Sequence, residues 1–411
     1  MLQHFFSSHE RIEALRRGPT GSLLEGFAEK LRHAGYAKIT ARRHIRAAEH
    51  LLHWAERKGV PISDLTESSL KQFEQHLKRC RCRGFGRSDR ALLRGARLLT
   101  EYLRSTGSST ASVEQNQDPA LLVAFRQWMI QQRGSCDRTL YEYGFCIQAL
   151  LKRLGDDPGR FDAQSLRQFV IETSRQSGWA RTKMYTKALR MFLRFLIAEG
   201  KCAASLEAAI PVLAHWRLST LPRYLLAEDV ERVIASCDPS TPVGRRDRAI
   251  LLLLARLGLR AGDIVQLRLG AIDWKEAAVR VSGKGRLETR LPLTQEVGDA
   301  VVDYLKAGRP HFDSDAVFLS ARAPFRTLAS YRVSAVVAQA MRRAGVVCPS
   351  RGAAHVLRHS VATAMLRHGA SLQEIGSVLR HRSVETTVIY AKVDVTALQR
   401  IAQAWPEVQP C

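Results

Sequence analysis

Apolar residues recur at helical spacing along most of the chain, and two stretches repeat each other. Leu23-Leu24-Glu25-Gly26-Phe27 returns as Leu121-Leu122-Val123-Ala124-Phe125, and Leu51-Leu52 returns as Leu150-Leu151. Ser69-Leu70-Lys71-Gln72-Phe73 returns almost unchanged as Ser165-Leu166-Arg167-Gln168-Phe169. Within the copies, Leu51, Leu52 and Trp54, and then Leu189, Phe192, Leu193, Phe195 and Leu196, lie on single helical stripes. The pattern predicts a duplicated helical module, each copy a small four-helix bundle. The last helix of each copy runs to Leu103 or Leu196 and stops near Gly107 or Gly200, as helix C-termini often do. Residues 105–119, STGSSTASVEQNQDP, lack large apolar side chains and read as a linker. A second irregular stretch, 209–222, holds Pro211, His215, Trp216 and Pro222. After it the helical patterns Leu226 to Cys237 and Asp247 to Leu257 give way to two strand-like runs, Ala277 to Val281 and Arg290 to Leu293, around Gly283-Lys284-Gly285. Helical spacing then resumes. The expected fold is mainly α, with a small antiparallel sheet in the last part. The expected layout is an N-terminal arm (1–19), a helical module (20–104), a linker (105–119), a second module (120–208), a second linker (209–222) and a final domain (223–411).

Charge narrows the function. The 411 residues hold 63 Lys and Arg against 39 Asp and Glu, a formal net charge of +24, with an ordinary globular apolar content of 45%. A folded protein this cationic points to a polyanion, nucleic acid ahead of an anionic membrane surface. The excess is spread evenly: residues 1–118, 119–224 and 225–411 each carry +8. That suggests three parts gripping one duplex. The densest run, Lys78, Arg79, Arg81, Arg83, Arg87, Arg90, Arg94 and Arg97, reads as a phosphate-binding loop and helix start. The longest apolar run, Ala249 to Leu259, is interrupted by Arg256 and falls well short of a bilayer span. Met1 to Arg17 has no secretory signal character, so a cytoplasmic location and no membrane partner are expected. The eight cysteines are scattered and read as reduced thiols. Cys80 and Cys82 would need a second ligand pair for zinc, and the spacing offers none, so no metal is expected.

Four clusters in the last part carry the chemistry. They are Gly258-Leu259-Arg260-Ala261-Gly262-Asp263, Gly283-Lys284-Gly285, His355-Val356-Leu357-Arg358-His359, and Leu379-Arg380-His381-Arg382-Ser383 followed by Tyr390. His355 and Arg358, three apart, share one helical face. Alone, Arg260 with Asp263 would be a structural ion pair, Lys284 a turn lysine and Tyr390 a packing residue. Together, in this order, they resemble the tyrosine recombinase, or phage integrase, family over roughly Pro222 to Val393. The two helical modules resemble, less specifically, the family's SAM-like core-binding domain and an additional copy of it.

The resemblance implies a site-specific DNA recombinase, with the integrase or transposase of a mobile element as the first reading. Arg260 and Arg358 would grip the scissile phosphate, and Tyr390 would be the nucleophile, with His355 as its general base. Lys284 would protonate the departing 5′ oxygen, His381 would hydrogen-bond the phosphate, and Asp263 would orient a site side chain. A covalent 3′-phosphotyrosyl intermediate and a Holliday junction would follow, on double-stranded DNA held by a homo-oligomer, a tetrameric synapse. No cofactor is expected, because five fixed cationic groups can do the work of a metal ion. Arg79, Arg81, Arg83, Arg87, Arg90, Arg380 and Arg382 are the expected DNA-binding residues. The chain departs from the family at Arg380, where glycine is usual, and at Arg256-Leu257-Gly258, where Thr-Gly is common. A C-terminal helix, Val395 to Trp405, would dock on a neighbouring protomer. The competing readings are an accessory DNA-binding homologue without cleavage, and a topoisomerase-like relaxing enzyme.

Overall fold

The structure is a computed structural model and describes residues 1–82, 85, 90–107, 118–213, 221–282, 288–350, 352–381, 383–394, 398–400 and 402. It divides into two compact units. Met1–Arg57, Phe73–Tyr102 and Arg217–Cys411 form one, and Lys58–Gln72 with Leu103–Trp216 form the other. Most of the described chain is helical.

The repeat in the sequence is a repeat of helices. Gly21–His33, Lys38–Lys58, Glu67–Lys78 and Arg90–Ser105 are followed by Ala120–Arg133, Asp137–Leu154, Ala163–Gln176 and Trp179–Ala198. Phe27 and Phe125 lie in the first helix of each set, Leu51 and Leu150 in the second, and Phe73 and Phe169 in the third, all buried. Residues 1–19, the expected N-terminal arm, hold two short helices, Leu2–Phe5 and His9–Arg16. Leu2, Phe5, Ile12 and Leu15 are buried, and the Met1 ammonium sits 2.6 Å from Glu25 Oε2.

The last part is built round helix Pro242–Arg256. Thr241 caps its first turn, its Oγ1 accepting the Gly244 N–H at 3.0 Å, and Pro242 occupies the first position, where its missing N–H costs nothing. Residues Ala249 to Leu254 are buried on every side, so the helix is the axis of a core shared with Gln295–Ala307, Ser330–Arg343 and Ala353–Arg367. A three-stranded antiparallel sheet, β1 (Ile272–Asp273), β2 (Ala278–Ser282) and β3 (Glu288–Pro292), lies in the order β1-β2-β3. Val279 pairs with Leu291 and both face inward, while Arg280 and Arg290 face solvent, the alternation a one-sided sheet requires. The expected strand runs are β2 and β3. β1, two residues long, is too short to show an alternation in sequence.

Candidate active site

Two turns build the site. Helix Pro242–Arg256 ends at Gly258, whose φ of +58° reverses the chain, and Leu259, fully buried, anchors the exit. Arg260 then starts helix Ala261–Gln266. Its backbone N–H donates to Asp263 Oδ2 at 2.8 Å, while the Asp263 N–H donates to the Arg260 carbonyl at 2.9 Å. The second turn closes helix Leu372–Val378, which Ser371 and Glu374 begin with a reciprocal capping box. At its end the Arg380 N–H returns to Ser377 O and the His381 N–H to Gly376 O, at 3.0 and 2.9 Å. This is the Schellman arrangement, and Arg380 takes the left-handed position, φ +55°, that it reserves for glycine. The departure noted in the sequence is therefore a residue in a conformation disfavoured by about 1–2 kcal/mol.

The second turn presents its carbonyls to the arginines. Arg358 Nη1 donates to Gly258 O and Nη2 to Leu379 O, and Arg260 Nη2 donates to Arg380 O at 3.0 Å. The two guanidiniums thus meet at one helix end. Arg358 is buried, and burial first, with the nearby Arg260 and Arg380 charges, draws its pKa down to about 10. Burial likewise lowers that of Arg260. A cluster of confined cations favours an incoming anion.

Arg380 turns inward. Its Nη2 donates to Asp263 Oδ2, its side chain is only 6% exposed, and its Nε and Nη1 are buried without a partner. The Arg380 guanidinium, expected to bind DNA, is paired with Asp263 in the DNA-free chain. Asp263, buried beside it, holds both the Arg260 backbone and the Arg380 guanidinium.

Tyr390 lies in a short 3₁₀ segment, Val388–Val393, 2% exposed. Its hydroxyl is 2.8 Å from His359 Nδ1, and its ring stacks on that of His381 at 6.4 Å between centroids. Burial pushes the phenol up to about 12, against the pull of Arg358. Burial also holds His359 and His381 down at about 4, helped by Arg358 in both cases. His381 Nδ1 bonds Thr387 Oγ1 at 2.8 Å. His355 keeps an exposed edge, and partial burial followed by Arg358 and Arg260 lowers its pKa. These imidazoles are neutral near pH 7, so their lone pairs can accept a proton.

Of the expected set, Arg260, Asp263, His355, Arg358, His381 and Tyr390 come together here. Lys284 lies outside the described residues, as do Arg83, Arg87 and Arg382, and nothing of the Arg90 side chain is described. The C-terminal helix also falls mostly outside them. Arg79 and Arg81 are exposed. Two contributions escape the sequence reading. His359, the partner of the Tyr390 hydroxyl, is signalled by its spacing: it lies four residues after His355 and one after Arg358, on the same helical face. The second pair of metal-binding side chains that Cys80 and Cys82 lack in sequence exists in space, as His50 and His76.

Comparison with known proteins accords with this geometry. Residues 223–396 match the model of the phage integrase family. Integrase/recombinase y4rA of Sinorhizobium fredii is 35% identical over 98% of this chain and 99% of its own. Tyrosine recombinase XerD of Listeria innocua is 27% identical over 68% of this chain and 96% of its own, so the longer match extends well beyond the part shared with XerD. A lambda integrase tetramer bound to a Holliday junction has the same fold, with a TM-score of 0.52 at 17% identity, covering 79% of this chain and 91% of that one. Among the described residues no helix is long and apolar enough to cross a membrane.

Proposed function

Because this chain belongs to the phage integrase family of tyrosine recombinases, we propose that it cuts and rejoins double-stranded DNA at a specific site through Tyr390, as the integrase or transposase of a mobile element. The observation that carries the reading is the hydrogen bond between the Tyr390 hydroxyl and His359, with the His381 ring against the tyrosine and Arg358, Arg260 and His355 clustered next to these histidines. A protein that only binds DNA has no need of a tyrosine hydroxyl hydrogen-bonded to a histidine next to a buried arginine.

The chemistry follows from the groups. Arg260 and Arg358 take two oxygens of the scissile phosphate, exchanging weak backbone acceptors for charged ones. The Tyr390 oxygen attacks phosphorus and forms a 3′-phosphotyrosyl bond, while the bond from phosphorus to the 5′ oxygen breaks. The phenol proton passes to a neutral imidazole. His359 orients the hydroxyl in the DNA-free chain, and His355, beside both arginines, accepts the proton once phosphate is bound. Lys284 delivers a proton to the departing 5′ oxygen. His381 donates a hydrogen bond to the phosphoryl oxygens as negative charge builds on them. The free 5′ hydroxyl of a second duplex then attacks the phosphotyrosine, which conserves the bond energy for rejoining. Pairwise exchange by a tetramer on two duplexes passes through a Holliday junction.

Two features support a stored nucleophile. Tyr390 is buried and its pKa is raised, so attack requires both exposure and a base. The test is a covalent protein–DNA band after denaturation, using DNA from the native neighbourhood and no added divalent cation. Wild-type protein should give the band, and Tyr390→Phe should bind DNA as tightly and give none. A band in Tyr390→Phe would name the wrong nucleophile. Tight site-specific binding with no band from either protein would favour the accessory reading.

A further inference from the structure

We propose that His50, His76, Cys80 and Cys82 form a structural zinc site that fastens the arginine-rich segment to the first helical module. Among the described residues these four are the one group of its kind, and their ligand atoms all lie within 4.8 Å of one another. His50 Nε2 is 3.4 Å from His76 Nε2 and 3.4 Å from Cys80 Sγ, and Cys82 Sγ is 3.6 Å from His76 Nε2. Zinc bonds of about 2.0–2.1 Å to nitrogen and about 2.3 Å to sulfur give tetrahedral edges of about 3.3 Å between nitrogens and about 3.5 Å between nitrogen and sulfur. The three separations given match those edges, and the remaining ones lie within 4.8 Å, close enough for the group to close on an ion. Two thiolates and two neutral imidazoles also balance the charge of the ion.

The surroundings are those of a closed structural centre. Cys80 and Cys82 are buried, and His50 is fully so. Phe85 stacks on the His50 ring at 4.4 Å and 10°, and Phe73 meets it edge-on at 5.2 Å, so the site is roofed and walled by carbon. Arg57 Nη1 reaches Cys82 Sγ at 4.0 Å, a donor that steadies a thiolate. The Cys82 N–H points at Cys80 Sγ from 3.4 Å, a second such donor.

The ligands come from separate elements. His50 lies in helix Lys38–Lys58, His76 in the last turn of Glu67–Lys78, and the cysteines follow that helix. A bond across them ties two helices to the chain that leaves the second. Along that chain side chains alternate: Arg79 and Arg81 face out while Cys80 and Cys82 face in. The ion would hold the two cations at fixed positions on the surface, and the importance of those positions for DNA rests on the function proposed above. The metal itself does not.

The test uses the full-length protein, purified without oxygen or chelator and read first with no DNA present. The expected result is about one zinc per chain by elemental analysis. Replacing it with cobalt(II) should give the visible bands of a tetrahedral ion and a thiolate-to-cobalt charge-transfer band. Cys82→Ser should retain at least about ten-fold less metal, while His76→Cys, which keeps a ligand, should stay loaded. Should Cys82→Ser fail to fold, the cobalt spectrum of the unaltered chain decides alone. A zinc content near zero after refolding with zinc(II), a cobalt spectrum without thiolate character, full loading of a Cys80→Ser/Cys82→Ser variant, or a native mass lower by two hydrogens from a Cys80–Cys82 disulfide would each overturn the proposal. One zinc in a chain that never cleaves DNA would sink the recombinase reading and leave the site standing.

Discussion

Neutral imidazoles crowded among arginines make the site sensitive to acid. His359 and His381 are held at about 4 by burial and by neighbouring positive groups, against 6.5 in an unfolded chain, and His355 is lowered as well. Below pH 6.5 the unfolded chain takes up protons that the native site refuses. Their stabilising contribution is therefore complete above about pH 6.5 and is lost as pH falls from there toward 4, by at most about 1.4 kcal/mol per pH unit for each group. Glu25, lowered to about 2 by its ammonium, Leu2 backbone and Arg16 partners, acts only below its unfolded value of 4.5, so it contributes nothing to a change between pH 7 and pH 5. Urea midpoints for the DNA-free chain should fall between pH 7 and pH 5, and His359→Gln/His381→Gln should flatten the fall. A wild-type midpoint that is level over that range, or a variant as steep as wild type, would mean these histidines are not buried neutral. At this scale the sequence was informative for charge and poor for contacts. It identified Arg380 as the odd residue, and only the left-handed φ and the Asp263 ion pair reveal that its cation faces the site.

Elements explain why the arginines converge. The turn at Gly258 and the turn after Leu372–Val378 touch, because a Cβ on Gly258 would stand 2.6 Å from Leu379 Cδ2. Gly258 and Leu379 also supply the two carbonyls that hold Arg358. Gly258→Ala must accept a left-handed alanine, about 1–2 kcal/mol, and displace a buried leucine side chain. A loss of about 2–3 kcal/mol in urea unfolding is expected, with a drop in covalent adduct beyond what the unfolded fraction explains. An alanine variant as stable and active as wild type would show that the two turns do not constrain each other. Helical periodicity, the paired repeats and the strand-like runs of β2 and β3 were legible because each is a local pattern. Contacts between distant segments leave no such pattern. His50 lies thirty residues from Cys80, so the His–Cys cluster could not be read from spacing, whereas His76 and the Cys-x-Cys pair lay in view. The helices of residues 1–19 were missed for a related reason: five apolar side chains in a short, charged segment suffice to dock it but make a weak stripe.

Charge is a property of the whole chain, and it separates a protein that uses its cations on DNA from one that is merely basic. A net +24 divided as +8 in each of residues 1–118, 119–224 and 225–411 predicts phosphate contacts along the full length, and each neutralised phosphate releases counterions. Binding to duplex DNA should then weaken steeply with salt, log K falling with log salt at about 0.9 per phosphate contacted. The slope can be apportioned. Arg79 and Arg81 are exposed on the segment that Cys80 and Cys82 fasten inward, so both can face a backbone at once. Arg79→Gln/Arg81→Gln should lower the slope by about 1.8 and weaken binding to specific and unrelated duplexes alike, because phosphate contacts carry no sequence. The wild-type and variant slopes, measured by anisotropy over a salt series on both duplexes, check this. An unchanged slope would place the basic segment off the DNA and confine the contacts to the rest of the chain. A change on the specific duplex alone would mean that these arginines read bases.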